Sequence, residues 1–166
     1  MGLRDYTAAE RLNKMTVDIV EKEVALSNGA AYTSDDLMFI PTAIEVSKFD
    51  GQAVIIQSVA IIGETTGGNE TGDFDIIVSD TNPALIKSGP LVMAVNDPMS
   101  GNTADHSTMS AISGIINITN MIDVGDTAVI GSADNVGIVA KPASTSKSIY
   151  IFGIARSTDT WPSPTL

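Results

Sequence analysis

The one histidine of this chain stands between two groups that histidine chemistry uses, since Asp105, His106 and Ser107 are consecutive. A nucleophilic triad needs its hydroxyl, imidazole and carboxylate to meet in space, usually from distant segments, so adjacency does not assemble one. A Gly-x-Ser-x-Gly elbow is also missing. His106 is therefore expected in a solvated loop. Carboxylates are paired twice, at Asp35-Asp36 and at Asp73 and Asp75, the second pair two residues apart and so on one face of a strand. Such pairs suit the acid and base of a glycosidase or a hard cation such as calcium. Neither pair sits in an EF-hand loop or another ordered ligand spacing. The segment from Gly63 to Gly72 holds four glycines in ten residues, yet it lacks Gly-Lys-Ser/Thr and Gly-x-Gly-x-x-Gly and leads into a strand pattern rather than a helix, so it reads as an exposed hairpin loop. With no cysteine there is no thiolate nucleophile, disulfide or Cys-ligated metal. The residues predict no catalytic group, no cofactor and no metal centre.

The elements that would position these groups are strands. At 166 residues the chain is long enough for one domain that buries roughly 70% of its unfolded surface. From Thr16 onward, short runs rich in Val, Ile, Thr and Phe alternate with Gly, Asn, Asp and Pro clusters, and predict strands at 17–26, 37–46, 53–62, 74–78, 91–95, 112–119, 127–130, 136–140 and 148–155. In the fourth run Phe74, Ile76 and Val78 face one way while Asp73, Asp75 and Ser79 face the other, with Ile77 the exception. The run 53–62 is apolar on both faces apart from Gln57 and Ser58, which predicts a central strand buried on both sides or one packed against another copy. This spacing predicts a mainly β protein, a sandwich or a barrel.

Residues 1–26 read as a separate N-terminal arm ahead of a β-domain over 27–166. Thr7-Ala-Ala-Glu10 has the spacing of a capping box, and the following residues suit a short helix as far as Met15. A helix of about two turns is marginal alone and needs a surface to lie on. Leu3, Tyr6, Leu12 and Met15 supply apolar anchors, with Arg4, Arg11 and Lys14 beside them. One reading is a frayed terminus; the other is an arm that binds a neighbouring subunit.

Net charge is −11, of which residues 27–166 carry −10. Strong acidity disfavours an electrostatic hold on nucleic acid or an anionic membrane, since both are gripped by clustered Lys and Arg. No apolar run approaches a membrane span, and the first residues lack the apolar core of a signal peptide. The long stretch from Pro98 to Ser110 is a candidate binding tip or an inert loop, and Trp161 is expected to seal the domain or to touch a partner.

In order along the chain come Tyr32-Thr-Ser-Asp-Asp-Leu37, Gly51 leading into Val54-Ile-Ile-Gln-Ser-Val59, Phe74-Asp-Ile-Ile-Val78 with Asn82-Pro83, the Asn96-Asp97 corner, and Ile149-Tyr-Ile-Phe-Gly-Ile-Ala-Arg156. Together they resemble a family of small tailed-bacteriophage proteins that decorate or cement the capsid exterior. Ser34-Asp35-Asp36 stands where the family has Gly-Asp, and Val78-Ser-Asp-Thr stands in place of an aromatic pair. The resemblance implies an antiparallel β-sandwich or a jelly-roll or tulip-like barrel that forms a homotrimer on the shell of the major capsid protein, made in the bacterial cytoplasm and ending on the outer surface of the virion. It carries over no active site or cofactor, and it implies no direct contact with nucleic acid or membrane. On this reading Leu3, Arg4, Tyr6, Arg11, Leu12, Lys14 and Met15 are the expected partner-binding residues. A carbohydrate-binding or adhesin-like β-module, on a phage fibre or a cell surface, is the alternative; it would place exposed aromatic rings in a shallow groove.

Overall fold

A computed structural model of the chain describes residues 19–24, 31–64, 72–83, 94–98, 110–119, 121–125, 128–157 and 159–160. Its strands are β1 (Ala31–Tyr32), β2 (Leu37–Glu45), β3 (Val54–Glu64), β4 (Phe74–Ser79), β5 (Ile112–Ile118), β6 (Ile122–Gly125), β7 (Ala128–Ala140), β8 (Ser148–Ala155) and β9 (Asp159–Thr160). They form a four-stranded sheet in the order β2-β8-β4-β5, a three-stranded sheet in the order β3-β7-β6, and a short β1-β9 pair, with every pairing antiparallel. The protein is mainly β and sandwich-like.

The four-stranded sheet holds most of the core. All six residues of β4 are buried, because β8 and β5 cover its two edges and side chains cover both of its faces. Phe74, Ile76 and Val78 share that burial with Phe152 of β8 and Ile116 and Ile118 of β5. The outermost strand β2 contains Pro41, which has no N–H to donate. The proline falls at a register shift between Phe39 and Thr42, on a strand paired along one edge only, where its missing donor costs the ladder nothing.

The two sheets approach most closely where β5 meets β7. A Cβ on Gly114 would lie 2.6 Å from Ile138 Cδ1, so only glycine lets Ile138 seat itself there. Just outside this contact the Asp80 carboxylate accepts from the Ser113 hydroxyl and, at 2.9 Å, from the Lys141 N–H. One side chain thereby joins the end of β4, the start of β5 and the end of β7.

Several sequence expectations change. The run 53–62 is an edge strand rather than a central one, because β7 is its only partner among the described residues. Its Val54, Ile56, Val59 and Ile61 pack inward while Ile55, Ala60 and Ile62 face out. The run 136–140 and the described part of the run 127–130 belong to one strand, β7, which continues through the Gly-Ser-Ala-Asp-Asn between them and bulges at Asn135 to Gly137. Asn135 and Gly137 take positive φ of 56° and 65° beside a register shift at Ile56 and Ser58 of β3. No strand forms over 19–24, and Val95 lies in a turn at whose tip Asn96 has φ 64°. The helical stretch of the arm falls outside the described residues.

Candidate functional site

Polar side chains converge most densely around Arg156, immediately after β8. Asp75 is the second residue of β4 and is 2% exposed; Asn117 stands directly across from it on β5. The Asn117 amide donates to Asp75 Oδ1 at 2.5 Å, while the Arg156 guanidinium donates through Nε and Nη2 to Oδ2. The third guanidinium nitrogen reaches Asp35 Oδ1 at 3.2 Å. Asp35 has φ 77° in the turn before β2, and its N–H donates to Ala155 O at 2.8 Å. Next to it the buried Asp36 carboxylate accepts from the Thr33 N–H at 2.7 Å and the Thr33 hydroxyl at 2.9 Å.

This geometry is a clamp rather than a reaction centre. Both oxygens of Asp75 are occupied and its charge is met by a guanidinium, so its carboxylate is committed to these contacts. Asp73, its expected partner, lies before the strand and is exposed, and its N–H donates to the Ser157 hydroxyl oxygen at 3.2 Å. Asp35 and Asp36 also part company, one turned to Arg156 and the other to Thr33. Among the described residues no group of three His, Cys, Asp or Glu is arranged to hold a metal ion.

The expected partner-binding residues Leu3, Arg4, Tyr6, Arg11, Leu12, Lys14 and Met15 lie outside the described residues, as do His106 and Trp161. The described surface offers two other features. One is the end of the sandwich where the loops 46–53 and 141–147 bind each other, through Gly51 N–H to Ser146 O at 2.8 Å and Val46 N–H to Lys147 O at 3.0 Å. Phe49 projects there, 71% exposed, with the Ser47 hydroxyl bonded to its carbonyl.

The other is the outer face of the three-stranded sheet. Register places Ile62 of β3 beside Ile130 of β7, and Ile130 beside Ile122 of β6, so one apolar row crosses all three strands. These side chains are 62%, 39% and 63% exposed. Further along the same face Ile55 pairs with Val139, both about three-fifths exposed, with Ser58, Ala60, Ser132 and Asp134 between the two apolar zones. Sequence reading found the two-faced character of β3 but missed β6, so the row was not visible; Ile122-Asp-Val-Gly125 is too short to stand out as a strand.

These features define a class, a sandwich-like β protein with a polar clamp inside and an uncovered aliphatic sheet face outside. Compared with protein-family models, with curated proteins and with solved structures, the chain matches none.

Proposed function

We propose that this chain is a virion structural protein that decorates or cements the exterior of a tailed-phage capsid by binding the major capsid protein as a homotrimer. One observation carries the reading. Segments that bear the sequence resemblance, far apart along the chain, meet in a single corner of the fold. Leu37 N–H donates to Asp97 O at 3.0 Å and Asn96 N–H to Leu37 O at 2.8 Å, while Ala155 N–H donates to Asp36 O and Arg156 N–H to Asp73 O, each at 2.9 Å. Residues that hold one another in place form one pattern even when each motif is short.

Composition agrees in kind. A net charge of −11 keeps a protein soluble when many copies crowd one surface, and a shell needs no catalysis from its decoration. We assign the chain no enzymatic role, no cofactor and no contact with nucleic acid or membrane. The glycan-binding alternative calls for a groove of exposed rings, whereas Phe39, Phe74, Phe152 and Tyr32 are buried, Tyr150 is half-buried and Phe49 alone among the described aromatics is exposed. Attachment is assigned to the arm, through Leu3, Tyr6, Leu12 and Met15 with Arg4, Arg11 and Lys14 around them.

The deciding experiment is co-sedimentation of the protein with intact particles. A fixed ratio to the shell subunit is expected, and its absence at saturating protein overturns the proposal.

A further inference from the structure

Two loops cross between the sheets side by side at one end of the sandwich. Loop 46–53 leads from β2 to β3 and loop 141–147 from β7 to β8; register sets Glu45 beside Ser148 and Val54 beside Ala140, so the loops start and finish as neighbours. Backbone bonds then hold their shape. The Gln52 N–H donates to Phe49 O at 3.3 Å and closes a turn in which Gly51 has φ 65°, while the Ser47 hydroxyl donates to Phe49 O at 2.8 Å and to Lys147 O at 3.3 Å. A Cβ on Gly51 would stand 3.0 Å from Ser144 Cα, so the close approach of the loops needs glycine. This fixed scaffold carries the exposed Phe49 ring at its tip. Folding gains little from a phenyl ring held in water, whereas binding gains from an aromatic anchor whose backbone is ordered in advance.

Charge selects what the ring meets. The two loops hold the exposed Lys48, Lys141 and Lys147 against Asp50, a net of +2 that leaves −13 for the rest of the chain. Three of the four lysines among the described residues therefore stand around one ring, and Lys147 alone of the three lies near a described carboxylate outside the loops, 3.9 Å from Glu45. We propose that this loop end is a second docking site, at which Phe49 enters an apolar pocket on an acidic protein surface and the lysines meet the carboxylates around it. The partner is the major capsid protein, so the site rests on the capsid reading and adds the chemistry the shell must present: a pocket one ring wide, rimmed by Asp and Glu. A pocket suits this end better than an anionic bilayer. A flat surface broad enough to reach all three lysines also approaches the acidic flanks behind them, whereas a pocket takes the ring and its rim alone. Arm and loop end belong to one chain, so each contact raises the local concentration of the other, and losing either weakens the whole.

The test is a co-sedimentation titration of the full chain with intact particles. Phe49→Ala should weaken binding by on the order of 30-fold, the scale of an aromatic anchor removed from a pocket. Its unfolding midpoint should stay put, because the ring is exposed and the Ser47 bond is to the backbone carbonyl. Lys48→Gln with Lys141→Gln should weaken binding about tenfold at low salt, a difference that fades between about 50 mM and 500 mM salt. If Phe49→Ala loses its fold, the lysine pair decides. Wild-type affinity in Phe49→Ala overturns the docking site and leaves the capsid reading intact, whereas failure of the unmodified chain to bind particles overturns both. Flotation with vesicles of phosphatidylcholine and phosphatidylserine in equal parts, lost in Phe49→Ala, would assign the ring to a membrane and overturn the protein pocket. Self-association lost in the same variant would place the pocket on another copy of this chain and overturn the shell as partner.

Discussion

In the four-stranded sheet β4 has a neighbour on each edge and buried side chains on each face, whereas in the three-stranded sheet β3 has one neighbour and one packed face. In sequence β3 is apolar on both sides apart from Gln57 and Ser58, whereas β4 is apolar on one side and carries Asp75 and Ser79 around Ile77 on the other. The difference is where the second cover comes from. For β4 it is supplied by the chain itself, through β8, β5 and the residues over them. For β3 the described part of the chain supplies none, and the aliphatic face is left for something else to meet.

The comparison breaks most sharply if truncations to alanine on the two sheets cost the same. Phe152 of β8 is fully buried, so Phe152→Ala should lose about 3–5 kcal/mol in urea unfolding. Val139→Ala on the outer face of the other sheet should stay within about 0.5 kcal/mol at dilutions where the protein is monomeric. Similar losses at both positions would mean that the outer face is already covered within one chain.

The clamp should rank next. Arg156→Ala leaves the Asp75 carboxylate buried with only Asn117 as a partner, and should cost about 1–3 kcal/mol by chemical denaturation. Adding Asp75→Asn should recover part of that loss, because no charge is then left uncompensated beneath β5. If the double variant is less stable than Arg156→Ala alone, the cost lies in lost packing rather than in the stranded charge.

Deleting residues 1–15 should leave the unfolding midpoint of the β-domain nearly unchanged and abolish particle binding. Within the arm, Leu12→Ala should weaken binding more than removal of any one of Arg4, Arg11 or Lys14, since exposed ion pairs contribute only about 0–1 kcal/mol. Saturation of capsids at unchanged affinity by the shortened chain would move attachment to the sandwich, with the Phe49 loop end as the first place to look. The smallest effect is expected from chelation. A melting shift beyond about 2 °C with EDTA, the scale of roughly 1 kcal/mol for a chain of this size, would reveal a bound ion that the carboxylate spacing did not suggest.

Strands that alternate or bury themselves strongly were legible from residue types. The run 148–155 coincides with β8, and 74–78 with all but the last residue of β4. What depends on distant partners was not. The position of β3 at an edge is decided by β7, some seventy residues later, and period-2 apolarity says that a face is greasy without saying who covers it. The single strand β7 reads as two because Gly131, Asp134 and Asn135 between its halves are turn formers, and pairing with β3 keeps the strand continuous. Asp75 illustrates the same limit for the site. Its partner Arg156 lies 81 residues away, so a carboxylate that looked free for chemistry is committed to holding β8 and β4 together.

The sheet order also dictates when this protein can become itself. Strand β8 lies between β2 and β4, although it is made after both, and Leu37 waits for Ile154 as Ile76 waits for Gly153. At roughly 5–20 residues per second, a ribosome leaves β2 without its partner for on the order of 5–20 s. During that interval Leu37, Met38 and Phe39, all buried in the finished fold, are exposed to other nascent chains. The long-range pairing makes assembly slow by topology, because the loop must close before any contact rewards it. Synthesis and folding are thus nearly sequential here, and a message truncated before Ser148 yields a chain whose β2 has lost its only described strand partner.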